Sequence, residues 1–105
     1  MHGNLPISEQ FERKAHEWVD ADAAAEILEQ TKSAVFAEML LAHGPIAHNR
    51  AEALSKASPA WAEHVATIVE ARRKANRLKV DMEVMRMRHR EWIAQDANQR
   101  TAARF

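Results

Sequence analysis

Basic side chains that could bind phosphate are concentrated in the last third of the chain. Between residues 72 and 90, 8 of 19 positions are Lys or Arg. At this density, such side chains can neutralise the backbone of DNA or RNA without reading its bases. The candidate nucleic-acid-binding residues are Arg73, Lys74, Arg77, Arg88 and Arg90. The alternative is that half of the basic residues pair with an acidic helix and the others form a solvated face.

The charge of the chain is divided between its two parts. Residues 1–70 carry 5 Lys and Arg against 11 Asp and Glu, and residues 71–105 carry 10 against 4, although the whole chain is formally neutral. This asymmetry indicates either that one helix pairs with another or that a basic arm meets an acidic partner such as nucleic acid. Neutrality overall counts against the second interpretation, because nucleic-acid-binding proteins usually have a surplus of positive charge.

Apolar and acidic side chains supply further candidates for binding. Trp18, Trp61 and Trp92 could stack on bases. Each, however, falls on the apolar stripe, or seam, of a predicted long helix, where a large aromatic side chain is expected to be core. Met87 is the methionine that the seam leaves exposed, so it is a candidate partner-binding residue. The candidate acidic surface for a protein partner comes from the first helix: Glu9, Glu12 and Asp20.

The sequence lacks the motifs of an enzyme or a metal site. It has no Cys, no Gly-rich phosphate loop, no His-Glu-x-x-His motif and no nucleophile beside a base. We therefore expect a non-enzymatic protein with no catalytic residue, metal, cofactor or small-molecule substrate. Of the six histidines, His64 and His89 fall on the predicted seam, where they are expected to form hydrogen bonds within or at the edge of the core.

The composition, with 2 Gly, 3 Pro and no Tyr, predicts an all-α protein. Ser8 suits the N-terminal cap of a first helix, and Gly44 and Pro45 suit its end. Ser58 and Pro59 suit the cap and first position of another helix. The predicted segments of the single domain 1–105 are a helix at about 8–42, a short helix at about 47–57, a long helix at about 59–98 and a frayed tail at 99–105.

Both long helices carry an apolar seam with the 3.5-residue period of a coiled coil, which predicts an antiparallel helical hairpin. The seam of the last helix is Trp61, His64, Ile68, Ala71, Ala75, Leu78, Met82, Met85, His89 and Trp92. The seam of the first helix is Phe11, Trp18, Ala21, Ala25, Leu28, Val35, Met39 and Ala42.

The charges beside the seams predict one register for the hairpin. In this hairpin, the apolar residues outside the seams are left for a partner to cover. The expected pairs are Glu29 with Arg72, Asp22 with Lys79, and Glu17 with Arg86 or Arg88. We expect a homodimer, in a four-helix arrangement, to cover the apolar residues outside the seams. These residues are Ile27, Phe36, Leu40, Leu41, Val65, Val69, Val80, Val84 and Ile93.

Several short segments together carry a resemblance that extends over nearly the whole chain. They are Glu17-Trp18, Ala23-Ala24-Ala25, Ala71-Arg72, Ala75-Asn76, Val80, Glu83, Arg86-Met87-Arg88, Glu91-Trp92 and Arg100. In these the chain resembles a group of small uncharacterised helical proteins of proteobacterial phages and prophages, found among genes for recombination and single-strand annealing. Members often have an aromatic residue where this chain has His89. The group has no catalytic motif to transfer, so the resemblance implies a context and not a mechanism.

These observations favour a soluble, cytoplasmic phage accessory protein that acts by binding. Its expected target is a recombination or replication protein, or the single-stranded DNA that such a protein handles. The first alternative is a host-directed inhibitor whose acidic half occupies the nucleic-acid channel of a defence or repair enzyme. The second is a purely structural assembly subunit. No segment has the roughly 20 apolar residues that a membrane span needs.

Overall fold

The chain folds as an all-α helical hairpin, which confirms the predicted fold class. The computed structural model describes residues 5–103, and this part of the chain contains no strand. Helix α1 is Ile7–Ala42, the short helix α2 is His48–Lys56, and helix α3 is Pro59–Ala103. The start of α3 lies beside the end of α1, with the rings of Trp61 and Phe36 4.8 Å apart, so the two long helices are antiparallel.

Helix α1 begins at a proline and not at the predicted serine cap. Its N-cap is Pro6, with φ −54° and ψ 148°, and no side chain caps the helix. The backbone amide of Gln10 donates to the Pro6 carbonyl at 3.0 Å, and the Gln10 side chain donates to the Leu5 carbonyl at 2.7 Å. Ser8 lies inside the first turn, so its predicted capping role is wrong. The proline ring fixes φ and removes the backbone N–H, and both are tolerated at a helix N-terminus.

The turn after α1 follows the glycine signal in the sequence. Gly44 has φ +74°, a conformation that favours glycine, and its amide donates to the Leu41 carbonyl at 3.1 Å. One side-chain contact then ties the end of α1 to α2. Nε2 of His43 lies 3.0 Å from Oγ of Ser55, which is almost completely buried.

Helix α3 begins as predicted and continues further than predicted. The Ser58 hydroxyl oxygen accepts a hydrogen bond from the Trp61 amide at 3.2 Å, and Pro59 is the first helical residue. The helix runs to Ala103, so the tail predicted to fray from residue 99 is helical up to that point. Residues 104 and 105, which that prediction also included, lie outside the described residues.

The interior of the hairpin is small and consists largely of alanine. Its central cluster contains Ala21, Ala75 and Leu78, with Trp18 packed against it. The other buried apolar residues are Ala25, Ala51 and Ile68. Alanine lets the helix backbones approach closely, but it removes little apolar surface from water. The described chain therefore gains less from burial than a compact domain of the same length.

The molecule is correspondingly elongated. Its principal extents are 84 × 24 × 19 Å, and its radius of gyration is 23.3 Å, against about 13 Å for a compact chain of this length. The accessible surface is 8321 Å², about 2,400 Å² more than the roughly 5,950 Å² typical of a folded 11.9 kDa monomer. None of the three described helices combines the length and the apolar character needed to cross a membrane.

Helix α3 is longer than α1, and its C-terminal end has no partner helix in the hairpin. Ile7 and Phe11, at the start of α1, lie beside Met85 and His89. The 14 residues that follow, 90–103, form a segment that we call the α3 arm. At 1.5 Å per residue, the arm is about 20 Å long.

Candidate binding surface on helix α3

One arginine fixes the register of the two long helices. Nη1 of Arg72 donates to Asp22 at 2.6 Å, and its Nη2 and Nε donate to Glu29 at 2.6 and 3.1 Å. The predicted Glu29–Arg72 pair is thus confirmed. The predicted partner of Asp22, Lys79, is wrong, because the forked guanidinium of Arg72 reaches both carboxylates.

These hydrogen bonds change the acid–base behaviour of both partners. The hydrogen bond from Arg72 lowers the pKa of Glu29 below its ordinary value of 4.5, against the opposing effect of desolvation. Hydrogen bonds to Glu29 and Asp22 raise the pKa of Arg72 above its ordinary value. Glu29 and Arg72 are therefore both ionised at neutral pH, and their pairing holds the middle of the hairpin in a single register.

The third predicted pair, Glu17 with Arg86 or Arg88, is also wrong. The Glu17 carboxylate lies 3.8 Å from Nζ of Lys14 on its own helix. The Arg86 guanidinium lies 5.5 Å from the centre of the Phe11 ring, where a cation–π contact replaces the expected ion pair. Arg88 is exposed. The charge match between α1 and α3 is consequently confined to Arg72, and most of the basic residues of α3 remain available.

Three of the five predicted nucleic-acid-binding residues lie on one flank of α3. Lys74, Arg77 and Arg88 are exposed, and among residues 5–103 no ion pair joins them to an acidic side chain. Arg88 follows Arg77 by 11 residues, which is about three helical turns, so the two side chains are aligned. We call these three residues the basic flank. Asp81 and Glu70 lie on the same side of the helix and contribute two opposing charges, and Glu70 lines one groove with Lys74 and Arg77.

The other two predicted residues, Arg73 and Arg90, are not part of this flank. Nη1 of Arg73 lies 3.1 Å from the Glu70 carboxylate. Arg73 therefore has an acidic partner one turn away on the same helix and is less available to phosphate than the basic flank. Arg90 is exposed, but it lies 13 residues beyond Arg77, which places it on a different side of the helix from the basic flank.

The aromatic residue of the α3 arm is exposed, in contrast to the prediction that it is core. Trp92 is 62% exposed, because the arm extends past the start of α1. It lies about five turns from Lys74 and therefore in line with the basic flank. The His89 ring stacks on it at 6.2 Å with an interplanar angle of 13°. Trp18 and Trp61 are half-buried, as a core role requires.

The remaining candidate residues lie at the surface. Met87 is 59% exposed, which agrees with its predicted exposure. Its binding role stays a prediction. Glu9, Glu12 and Asp20 are exposed on α1 at helical spacing, and Glu12 lies 3.7 Å from Nε2 of His16.

Two features of the site region were not predicted from the sequence. A groove of about 530 Å³ lies where α1 begins against α3, and it is lined by Ile7, Ser8, Phe11, Met85, Arg86 and His89. The unequal lengths of the two helices could have indicated it. Nε2 of His64 is buried without a hydrogen-bond partner among residues 5–103, so the hydrogen bond expected there is missing at this atom. Within this range no group of three or more side chains could hold a metal ion.

Comparison with known proteins finds no relative: no protein-family model matches the chain, and no curated protein or solved structure is significantly similar to it.

Proposed function

We propose that this protein is a non-enzymatic accessory protein that binds single-stranded nucleic acid through the basic flank of α3. The observation that carries the proposal is the alignment of Lys74, Arg77 and Arg88 on one exposed flank without acidic partners in the described chain. Lys74 and Arg77 are one turn apart, and Arg88 lies about 16 Å further along the helix. The three side chains can therefore contact separate phosphates along one strand, which gives affinity without base specificity.

The exposed aromatic pair of His89 and Trp92, at the start of the α3 arm, supports a single strand as the target. Trp92 lies in line with the basic flank, and the His89 ring is nearly parallel to the Trp92 ring, with the two ring centres 6.2 Å apart. Unpaired bases stack on such rings, whereas the bases of a duplex are already stacked on each other. A single strand that follows the flank would therefore place bases near Trp92.

A phage setting and a cytoplasmic site of action complete the proposal. The segments that resemble helical phage proteins include Arg86-Met87-Arg88 and Glu91-Trp92, which are part of this basic and aromatic surface. The corresponding role is to assist a recombination or replication protein on the single strand that it handles.

We further propose that the protein acts as a homodimer. The support is the area that the monomer leaves exposed, about 2,400 Å² more than a compact chain of its mass. A standard interface buries about 800 Å² per partner, so one such interface fits within this excess. The small alanine-rich interior also leaves 12 large apolar side chains exposed among residues 5–103, some of which a second copy can cover.

The binding proposal is tested by fluorescence anisotropy with a labelled single strand of about 20 nucleotides, enough for a site of this size. The triple variant Lys74→Ala/Arg77→Ala/Arg88→Ala should bind about one to two orders of magnitude more weakly near 100 mM salt. Alanine favours helix and all three positions are exposed, so circular dichroism should show unchanged helix content.

A matched control removes three positive charges from α1 and α2 and leaves α3 unchanged. The variant Arg13→Ala/Arg50→Ala/Lys56→Ala loses three exposed cations outside α3 and should bind nearly as well as the native chain. Equal losses in both triple variants would mean that net charge alone, and not the basic flank, determines the affinity. Undetectable binding by the native chain would refute the nucleic-acid proposal outright.

A second candidate function is supported by the exposed acids of α1. Glu9, Glu12 and Asp20 share one face that points away from the hairpin seam, and such a face can mimic a nucleic acid in the channel of a host enzyme. Capture of a host nuclease or recombinase that survives nuclease treatment and is lost on changing these acids to Ala would favour it. Capture that nuclease treatment abolishes would favour the basic flank.

A further inference from the structure

The face of α3 opposite the hairpin seam carries a second stripe with coiled-coil spacing. Its residues alternate in steps of four and three and are all exposed: Ala62, Ala66, Val69, Arg73, Asn76, Val80, Glu83, Met87, Arg90 and Ala94. We call this set the outer stripe. A 3.5-residue repeat keeps one face of a helix against a neighbouring helix along its whole length. Nothing within residues 5–103 covers this stripe.

The charges on the outer faces of α1 and α3 favour α3 as the helix that contacts a second copy. The outer face of α1 also exposes apolar residues, Val19, Ile27 and Leu41. The acids beside them are Glu9, Glu12, Asp20, Glu26 and Glu38, so two α1 faces would repel each other. The outer stripe of α3 contains both signs, with Arg73 and Arg90 against Glu83. A self-complementary interface requires such a mixture.

We propose that two copies pair through their outer stripes, with the α3 helices antiparallel and residue i beside residue 156 − i of the partner. This register, which rests on the homodimer proposed above, maps the outer stripe onto itself. It places Val69 against Met87 of the partner subunit, and Arg73 against Glu83 of the partner subunit. A parallel pair would instead place Arg73 against Arg73 of the partner subunit, which like charges disfavour.

The pairing has a consequence for the basic flank. In an antiparallel helix pair the two-fold axis is perpendicular to the plane of the helices, so equivalent flanks of both copies face the same side. Lys74, Arg77 and Arg88 of one copy and their equivalents in the other then form one wider basic surface. The hairpins form a flat row of four helices, with the two α1 helices at its edges.

Cysteine cross-linking tests the register directly, because the native chain has no Cys. A mixture of the Val69→Cys and Met87→Cys variants should form a disulfide-linked dimer under mild oxidation, and each variant alone should not. In this register Val69 and Val80 of the partner subunit are about 10 Å apart along the helix axis, too far for a disulfide. Cross-linking of Val69→Cys with Val80→Cys would therefore overturn the proposed register. Self-linking of Val69→Cys would overturn the antiparallel arrangement, because in it Val69 lies about 27 Å along the axis from Val69 of the partner subunit.

Exchange of the charges at positions 73 and 83 provides an independent test. Light scattering at a fixed protein concentration measures the mass, and so shows whether the dimer forms. Arg73→Glu should weaken the dimer at least about tenfold through two symmetric Glu–Glu contacts, and adding Glu83→Arg should restore it. Glu70, which Arg73 contacts within the chain, is unchanged in both variants. A native chain that stays monomeric at high micromolar concentration refutes the proposed dimer itself. A dimer that Arg73→Glu leaves intact refutes only this interface.

Discussion

Replacement of Leu78 by Ala should remove a large part of the stability of the hairpin. Leu78 is 9% exposed and is, with Ile68, one of only two buried apolar side chains larger than alanine in the described chain. Its buried neighbours are Ala21 and Ala75, which are too short to fill the space that it leaves. Substitutions of this kind cost about 2–5 kcal/mol, and the cost is near the upper end where the site cannot collapse.

The half-buried indole of Trp18 packs against this cluster and can close part of the cavity, so we expect a loss of about 3 kcal/mol. A domain of this length has a free energy of unfolding of about 5–15 kcal/mol, and its melting temperature falls by about 4–8 °C per kcal/mol. Urea unfolding followed by circular dichroism should therefore show a midpoint well below that of the native chain. Both proteins are measured at one concentration, because association adds to the apparent stability.

The matched control is Ile27→Ala, which removes an apolar side chain of similar size from the face of α1 that points away from α3. Ile27 is 61% exposed, so this variant should change the free energy of unfolding by no more than about 0.5 kcal/mol. If Leu78→Ala cost less than about 1 kcal/mol, or if both variants cost the same, the cluster around Leu78 would not be the centre of the fold.

Three further predictions concern polar groups of the hairpin. Glu29→Arg should lower the melting temperature, and adding Arg72→Glu should recover part of the loss; zero coupling in this cycle at low salt would contradict the register. Because folding lowers the pKa of Glu29 below 4.5, its contribution to stability is present above that pH and lost as the pH falls through the folded value. The melting temperature of Glu29→Gln should thus fall less than that of the native chain between about pH 6 and pH 3, and identical pH profiles would exclude this linkage. His64→Leu removes a buried nitrogen without a partner and should raise the melting temperature by several degrees, since such a group costs about 1–3 kcal/mol; a decrease would indicate a hydrogen bond that forms in solution.

The helix pattern was predictable because it depends on local signals. Gly44 adopts a left-handed φ and Ser58 caps the next helix, and both roles follow from residue type and neighbours alone. The start of α1 was less clear, because Pro6 and Ser8 are both start signals two positions apart. In the structure the Pro6 carbonyl accepts the first helical hydrogen bond, from the Gln10 amide, so Ser8 lies inside the first turn.

Long-range pairings were only partly predictable because long side chains reach more than one partner. The sequence placed Glu29 opposite Arg72, but helical spacing gives only the positions of the Cβ atoms. The guanidinium of Arg72 extends far enough to take Asp22 as well, which left Lys79 without its expected partner. The exposure of Trp92 follows from the unequal lengths of α1 and α3, which the seam pattern of a single helix does not contain.

The salt dependence of single-strand affinity tests the proposed role of the basic flank most directly. Each phosphate neutralised on a single strand contributes about 0.7 to the slope of log affinity against log salt. Three contacts from Lys74, Arg77 and Arg88 should therefore make the slope of the native chain steeper by about 2 than that of the triple alanine variant. We predict this difference between about 50 and 200 mM salt. Equal slopes for the two proteins would contradict the proposal that the basic flank binds phosphates.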